Sequence, residues 1–192
     1  MTLIFATNNI NKVNEIRNAL NNDFEIISLK EAGIDKDIPE PHNTLEANAS
    51  EKSQTIFELT GSDCFSEDTG LEVEALNGEP GVKSARYAEG EAQYKDIIDK
   101  LLDKLKDKSN RKARFRTVIS LVINGKESLF EGICTGDITS ERKGTNGFGY
   151  DPVFIPDGAD KTFAEMTMDE KKQYSHRVKA LAKLVDRLKM CP

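Results

Sequence analysis

Two adjacent carboxylates occupy a position in this sequence where a charge is costly. Glu67 and Asp68 follow the short apolar run Cys64-Phe65 and come just before Gly70. The pattern predicts a buried strand that ends in an acidic turn, where a carboxylate requires an ion pair, a hydrogen bond or a metal ion. The pair could hold a divalent cation, or one carboxylate could activate a water molecule; an ordinary hydrogen-bonded turn is the alternative.

Glu40 is a candidate for a further oxygen ligand. It lies between two prolines in a predicted loop before the second predicted helix. Hard cations such as Mg²⁺ prefer oxygen ligands and bind few protein groups, so Glu40 fits such a site, and a solvated surface loop is the alternative. The two histidines and three cysteines have no metal-binding spacing, so a zinc site is not expected.

Three further segments carry groups that favour anions. The first lies between a predicted strand and a predicted helix, where backbone N–H groups and the helix dipole favour phosphate. It consists of Thr7, Asn8, Asn9, Ile10, Asn11 and Lys12; the other two are Lys171-Lys172 and Ser175-His176-Arg177, the last at the beginning of a helix. Carboxylates with several cations are typical of a metal-assisted site for a phosphorylated substrate, although polar helix caps are the alternative.

A glycine-rich loop with two aromatic residues could recognise a base. It contains Gly147, Phe148, Gly149, Tyr150 and Asp151. Glycines allow the backbone to approach a ligand closely, and an aromatic ring can stack on a nucleobase. The alternative is a tight connection whose rings pack into the core.

Composition narrows the possible functions. The 192 residues include 27 basic and 33 acidic side chains, giving a net charge of −6. This balance argues against a broad nucleic-acid or membrane surface. The sparse cysteines, Cys64, Cys134 and Cys191, are typical of a reducing compartment, and no apolar run is long enough for a membrane span. We therefore expect a cytoplasmic protein.

The apolar periodicity predicts one α/β domain over residues 1–192. Strands are expected at residues 3–6, 24–29, 71–75, 113–123, 126–133 and 153–155. Helices are expected after residue 12, at about residues 44–59 and 91–106, after Thr167, and from near Ser175 onward. The first strand, helix and strand form a βαβ pattern, and Asn124-Gly125 predicts a type I′ hairpin.

These segments, in this order, resemble the inosine triphosphate pyrophosphatase family. The resemblance extends from about residue 3 to residue 188, and five blocks in register make it specific. The blocks are residues 5–15, 39–52, 66–71 with 78–88, 147–152 and 175–177. The family implies a long twisted mixed sheet flanked by helices, with two lobes around a deep cleft, and a homodimer.

The resemblance also implies an activity. Members of the family hydrolyse noncanonical purine nucleoside triphosphates (ITP, dITP, XTP) to the monophosphate and pyrophosphate with Mg²⁺, which cleanses the nucleotide pool. By the resemblance, Glu40 and Asp68 serve the metal and Asp68 is the general base. The residues implied in substrate binding are Thr7, Asn8, Asn9, Lys12, Lys52, Thr69, Phe148, Gly149, Tyr150, Asp151, Lys171, His176 and Arg177. Arg177, with His176 and Asp151, is expected to choose the base.

Two other functions compete with this one. A pyrophosphatase of the Maf type shares the general architecture and acts on other nucleotides, but the Ser175-His176-Arg177 block argues against it. A non-catalytic nucleotide sensor on the same fold would be expected to lack a carboxylate at position 40 or 68, and both are present.

Overall fold

The computed structural model describes residues 1–20 and 24–189; Cys191 lies outside this part of the chain. This part of the chain contains seven strands and five α-helices. The strands are β1 (Thr2–Phe5), β2 (Glu25–Ser28), β3 (Cys64–Val73), β4 (Pro80–Gly81), β5 (Lys112–Ile123), β6 (Lys126–Ile138) and β7 (Phe154–Pro156). The helices are α1 (Ile10–Leu20), α2 (Leu45–Thr60), α3 (Ile97–Leu105), α4 (Met168–Lys172) and α5 (His176–Lys189).

The chain divides into two compact units. The first contains Met1–Asp68, Thr117–Gly132 and the chain from Arg177 onward, and the second contains Thr69–Arg116 and Ile133–His176. Strands β3, β5 and β6 contribute residues to both units. In the first unit the strand order is β2-β1-β3-β5-β6, and in the second β3, β5, β6 and β7 follow one another while β4 pairs with β3.

The first unit begins with the expected βαβ pattern. Strand β1 pairs in parallel with β2 and with β3. Leu3 and Phe5 belong to one apolar cluster with α1 and α5, whereas Ile4 and Ala6 belong to another with α2. Because successive strand residues point to opposite faces, β1 is covered on both faces, which explains its uninterrupted apolar sequence.

The second unit has one apolar core built around aromatic rings. The ring of Phe115 on β5 lies 4.7 Å from that of Phe154 and 6.0 Å from that of Phe163. Helix α3 adds Ile98, Leu101 and Leu105 to the same cluster. The antiparallel pairs β3–β4 and β6–β7, added to the parallel pairs of the first unit, make the sheet mixed. The expected α/β class, a mixed sheet flanked by helices, is confirmed.

The prediction of an acidic turn at residues 66–70 is wrong. Strand β3 runs without interruption through Glu67, Asp68 and Gly70 to Val73. Gly70 is needed for a close approach, since a Cβ atom there would lie 2.5 Å from the carbonyl oxygen of Gly81 on β4. The glycine therefore permits strand pairing, and ion pairs supply the charge compensation that the turn was expected to provide.

Several other local predictions can be compared with the structure. Asn124 and Gly125 have φ angles of 49° and 76°, as a type I′ hairpin requires. Thr44 caps α2 by accepting a hydrogen bond from the N–H of Ala47, and α5 begins at His176, both near their expected places. Helix α3 begins six residues later than expected, because the Asp96 side chain caps Ile97–Leu105. No helix within the described ranges combines the length and apolar character that crossing a membrane would require.

Candidate active site

The sequence-predicted site residues fall into two groups, one in each unit. The first unit contains Thr7, Asn8, Asn9, Lys12, Glu40, Lys52, Asp68 and Arg177. The second contains Thr69, Phe148, Gly149, Tyr150, Asp151, Lys171 and His176.

Lys52 gathers the two carboxylates that were predicted to hold a metal. Its ammonium Nζ lies 2.6 Å from Oε1 of Glu40 and 3.5 Å from Oδ1 of Asp68, and it donates to the Glu67 carbonyl oxygen at 2.7 Å. Helix α2 carries Lys52 and strand β3 carries Asp68, so two regular elements fix this part of the site. The ammonium group is thus surrounded by oxygen atoms of Glu40, Glu67 and Asp68, an environment that favours a cation.

Asp68 is almost completely buried. Burial raises the pKa of its carboxyl group above the ordinary value; the charge of Lys52 opposes this shift, and the charge of Glu40 adds to it. A carboxylate that is poorly solvated binds protons more strongly and is a better base than an exposed one. The environment therefore gives Asp68 the character expected of a group that accepts a proton.

Glu67 has a different role from its neighbour. Its side chain is completely buried and pairs with Lys12 at 3.0 Å and with Arg177 at 2.6 and 2.9 Å. Burial opposes ionisation of Glu67, but the charges of Arg177 and Lys12 overcome that cost and hold its pKa well below the ordinary value. Its two oxygen atoms are therefore already engaged by cations.

Arg177 joins this ion-pair cluster from the beginning of α5. Nε and Nη2 donate to Glu67, and Nη1 donates to Glu15 on α1. Burial works against the charged guanidinium, yet the two carboxylates raise the pKa of Arg177 above its ordinary value. Sequence reasoning assigned Glu15 no role, although its position one helical turn after Lys12 places both on the same side of α1.

The junction between β1 and α1 is polar, as predicted, but it is shorter than expected because α1 already begins at Ile10. Asn9 caps α1, since its Oδ1 accepts hydrogen bonds from the N–H groups of Asn11 at 3.0 Å and Lys12 at 3.3 Å. Thr7 Oγ1 accepts from the N–H of Asn9 at 3.1 Å, and Asn8 is exposed. Lys12, in the first turn of α1, contacts the carboxylate of Glu67.

The second unit pairs one buried lysine with one buried carboxylate. Lys171 Nζ lies 2.6 Å from Asp151 Oδ2, which also accepts from the N–H of Phe148 at 2.9 Å. The same ammonium lies 5.4 Å from the ring centroid of Phe148 and 5.2 Å from that of Phe163. The carboxylate of Asp151 thus holds both the lysine and the backbone of the glycine-rich loop.

The two aromatic residues of that loop have different environments. Phe148 is half-buried, and Gly149 next to it is exposed. Tyr150 is 3% exposed, packs in the core of the second unit and donates its hydroxyl hydrogen to the Ser84 carbonyl oxygen at 2.9 Å. Packing in the core, the alternative considered for these rings, therefore describes Tyr150, and Phe148 is the more accessible of the two.

His176 and Thr69 complete the second group. The imidazole of His176 is 3% exposed and stacks on Phe115, with centroids 4.6 Å apart and planes 13° apart. Thr69 is the residue of β3 that directly follows Asp68, and it is half-buried. The stacking identifies His176 as part of the aromatic core of its unit.

The donor set in the first unit fits Mg²⁺ better than a transition metal. Glu40 and Asp68 already share one cation, the ammonium of Lys52. Residues 1–20 and 24–189 contain no cluster of three or more histidine, cysteine, aspartate or glutamate side chains arranged to hold a metal. Mg²⁺ is usually bound through one or two carboxylates together with substrate phosphates, so two carboxylates are a sufficient protein contribution.

The chain is an α/β protein with a mixed sheet and with buried carboxylates that are paired with lysines. A family model narrows this class: the model described as the Ham1 family matches residues 3–187. The chain therefore belongs to the Ham1 family. The family resemblance that the sequence motifs indicated is confirmed.

Named relatives support the same assignment. A dITP/XTP pyrophosphatase of Flavobacterium psychrophilum is 50% identical over 186 residues, which cover 97% of this chain and 98% of that protein. A dITP/XTP pyrophosphatase of Porphyromonas gingivalis is 51% identical over 186 residues, covering 96% and 95%. The solved structure of the Staphylococcus aureus Ham1 protein is 38% identical, with a TM-score of 0.85 and 98% of each chain covered.

Proposed function

We propose that this protein hydrolyses noncanonical purine nucleoside triphosphates (ITP, dITP and XTP) to the monophosphate and pyrophosphate, and so removes them from the nucleotide pool. The observation that carries the proposal is the placement of Glu40 and Asp68 around one cation, in a chain about half identical to dITP/XTP pyrophosphatases along nearly its whole length. Carboxylates around a cation suit hydrolysis of a phosphoric anhydride.

Glu40 and Asp68 would hold Mg²⁺. When bound, the ion supplies positive charge that stabilises the anionic phosphates and draws electron density from them. In the structure the ammonium of Lys52 contacts both carboxylates and reduces the repulsion between their negative charges, so this lysine keeps the two side chains near each other.

Asp68 acts as the general base. It accepts a proton from a water molecule while the water oxygen bonds to the α phosphorus, and the bond from that phosphorus to the bridging oxygen breaks. Pyrophosphate leaves with the electron pair of the broken bond. Burial supports this assignment, because it raises the pKa of Asp68 and makes the carboxylate more basic.

Lys12, Lys52 and the polar turn of Thr7, Asn8 and Asn9 bind the triphosphate. Lys12 stands in the first turn of α1, where the helix dipole favours anions. The Glu67 carboxylate pairs with Lys12 and is itself held in place by Arg177. A lysine fixed at one end in this way offers its charge to phosphate with a smaller loss of side-chain entropy.

Groups of the second unit are assigned to stacking on the base and to its N1 proton. Phe148 offers a ring for stacking, and Asp151 offers an acceptor for the N1 proton of hypoxanthine or xanthine, with Lys171 holding that carboxylate. Thr69, Gly149, Tyr150 and His176 keep the role in substrate binding that the family resemblance implies; Tyr150 and His176 are buried and would act by supporting the loop and its ring. Adenine has no N1 proton, so this pairing would fail with ATP.

Arg177 remains the residue assigned to the C6 oxygen of the base. A guanidinium has five N–H donors on three nitrogen atoms, and the bonds to Glu67 and Glu15 engage all three nitrogens. The test is Arg177→Ala with ITP and ATP side by side. We expect the ITP to ATP ratio to shrink; an unchanged ratio would limit Arg177 to the ion-pair cluster.

We further infer that the protein is cytoplasmic and forms a homodimer, in which each chain is a single two-lobed domain. We expect it to bind neither nucleic acid nor membranes. Cys64 and Cys134 are free and buried, and sparse cysteines are typical of a reducing compartment. Size-exclusion chromatography with light scattering is the measurement for the dimer, and a mass of one chain would remove that assignment.

The decisive experiment measures pyrophosphate release from ITP, XTP, GTP, ATP, CTP and UTP with Mg²⁺ and then with EDTA. We expect rapid release from ITP and XTP that EDTA abolishes. Asp68→Asn keeps the shape of the side chain but removes its basicity, and turnover should fall about 10²–10⁴-fold. Equal rates on all nucleotides, preference for other nucleotides or binding of ITP without release would each overturn the proposal.

A further inference from the structure

One buried amide links the irregular Glu40 segment to the carboxylate of Asp68. Asn48 lies in the first turn of α2 and its relative exposure is 0%. Its Nδ2 donates to Asp68 Oδ2 at 3.2 Å and to the His42 carbonyl oxygen at 3.2 Å, while its Oδ1 accepts from the His42 N–H at 2.9 Å. A single side chain therefore satisfies both backbone polar groups of His42 and also reaches the general base.

The orientation of this amide follows from its partners. The His42 N–H can only donate, and the His42 carbonyl oxygen can only accept. Turning the amide over would place Nδ2 against the His42 N–H and Oδ1 against two acceptors. Only the observed orientation forms all three hydrogen bonds, so the neighbours determine the direction in which Nδ2 points.

The segment around Glu40 needs such support. Residues 34–41 have no helix, strand or turn of their own, and α2 begins only at Leu45. Pro39 and Pro41 cannot donate backbone hydrogen bonds on either side of Glu40. The hydrogen bonds between Asn48 and His42 anchor the chain two residues after Glu40.

Asn48 and Lys52, on successive turns of one helix, contact the two oxygen atoms of Asp68. Asn48 contacts Oδ2, and Lys52, four residues later, lies 3.5 Å from Oδ1 and also holds Glu40. The lysine supplies charge. The amide fixes the orientation of the Asp68 carboxylate without adding charge. Both proposed metal-binding carboxylates are therefore held by side chains of the same helix, α2.

We propose that Asn48 is a positioning residue that fixes the Glu40 segment and Asp68 in the arrangement that hydrolysis requires. The inference rests on the proposed function for its catalytic part. Small misplacements of catalytic groups can cost about 10²-fold in rate. The hold on His42 is a property of the folded protein and exists whether or not ITP is the substrate.

Two variants of Asn48 separate its two tasks. Asn48→Asp keeps an oxygen that can accept from the His42 N–H, but it places a second carboxylate against Asp68. Asn48→Leu has a similar volume and removes all three hydrogen bonds. The matched control is Thr44→Ala, which removes the side-chain cap of the same helix and none of the three hydrogen bonds of Asn48.

Hydrogen exchange at the His42 amide provides a readout that does not depend on activity. We expect slow exchange in the unaltered protein and in Asn48→Asp, and exchange at least about tenfold faster in Asn48→Leu, since one hydrogen bond is lost. Exchange in Thr44→Ala should stay near the original rate. Unchanged protection in Asn48→Leu would show that the amide does not hold the segment and would overturn the proposal.

Steady-state kinetics and Mg²⁺ titration test the second task. We expect kcat for ITP to fall about 10–100-fold in both Asn48 variants, with KM changed less, whereas Thr44→Ala stays within about twofold. Isothermal titration of Mg²⁺ should show altered affinity in Asn48→Asp at an unchanged His42 exchange rate.

If kcat in Asn48→Asp matched the original value, the inference would be wrong while the proposed function still stood. If no variant and no original protein hydrolysed ITP, the proposed function would fail independently of the exchange result.

Discussion

The two compact units present different chemistry at the residues assigned to the substrate. In the first, Lys12, Lys52 and Arg177 are matched with buried carboxylates. In the second, a single buried ion pair of Lys171 and Asp151 is surrounded by aromatic rings. Phosphates and a metal need fixed charge, whereas a flat base needs stacking and one or two directed hydrogen bonds. The contrast predicts that substitutions in the two units will change different observables.

The largest expected effect is on stability in the first unit. Glu67→Gln leaves the buried Arg177 and the partly buried Lys12 with less compensating charge, and breaking such a buried pair costs about 3–5 kcal/mol. In the second unit Glu72→Gln removes an ion pair with the half-exposed Arg114, which should cost less than about 1 kcal/mol. Urea unfolding of both variants measures the difference. Equal losses would contradict the view that the first unit depends on buried charge.

The next effect is on rate. Lys12→Ala removes a cation from the proposed phosphate site, and the loss of a charge-assisted hydrogen bond should slow hydrolysis about 10–100-fold. The factor should be similar for ITP and for a slow substrate such as GTP, because both have the same triphosphate. Lys183→Ala, which removes an exposed lysine of α5, is the control and should leave the rate unchanged. A change in base preference in Lys12→Ala would argue against a phosphate role.

A smaller effect is expected on selectivity in the second unit. Asp151→Asn keeps the size of the side chain but offers a donor as well as an acceptor, so the ITP to ATP ratio should fall about tenfold. Parallel kcat/KM measurements with both nucleotides provide the ratio. Asp137→Asn, on the exposed ion pair with Lys112, is the control. A uniform loss with both nucleotides would place Asp151 among the phosphate-binding groups instead.

The smallest effect concerns acid stability in the second unit. A hydrogen bond from Arg142 lowers the pKa of Asp96 to about 2. Because the folded-state pKa lies below the ordinary 3.8, Asp96 contributes stability that is complete above about pH 4 and is lost as the pH falls toward 2. Asp96→Asn keeps the helix cap, so its melting temperature should lie slightly below that of the unaltered protein at pH 6.

That difference should vanish by about pH 2. Asp107→Asn, after the end of α3, should show no such trend. If the melting temperatures of Asp96→Asn and the unaltered protein differed equally at both pH values, the ion pair with Arg142 would not be the source of the effect.

Elements with strong local signals could be predicted from the sequence. The Asn124-Gly125 hairpin, the Gly61 end of α2 and the capping box of Thr167 with Glu170 all depend on residues a few positions apart. Helix α3 was predicted too long, because Tyr94 continues the apolar stripe although Asp96 caps the helix after it. Burial of Glu67 and Asp68 within a continuous strand could not be predicted, since their partners come from distant parts of the chain.

The sequence by itself determined the fold class and the family, because apolar periodicity, turn residues and short motifs are local patterns. It also indicated that Glu40, Lys52 and Asp68 belong to one site. Only the tertiary structure decided how the charges are shared: Arg177 and Lys12 engage Glu67, Lys52 bridges Glu40 and Asp68, and Asn48 joins His42 to Asp68. Electrostatic energy depends on distance and burial in three dimensions, and neither quantity is encoded by spacing along the chain.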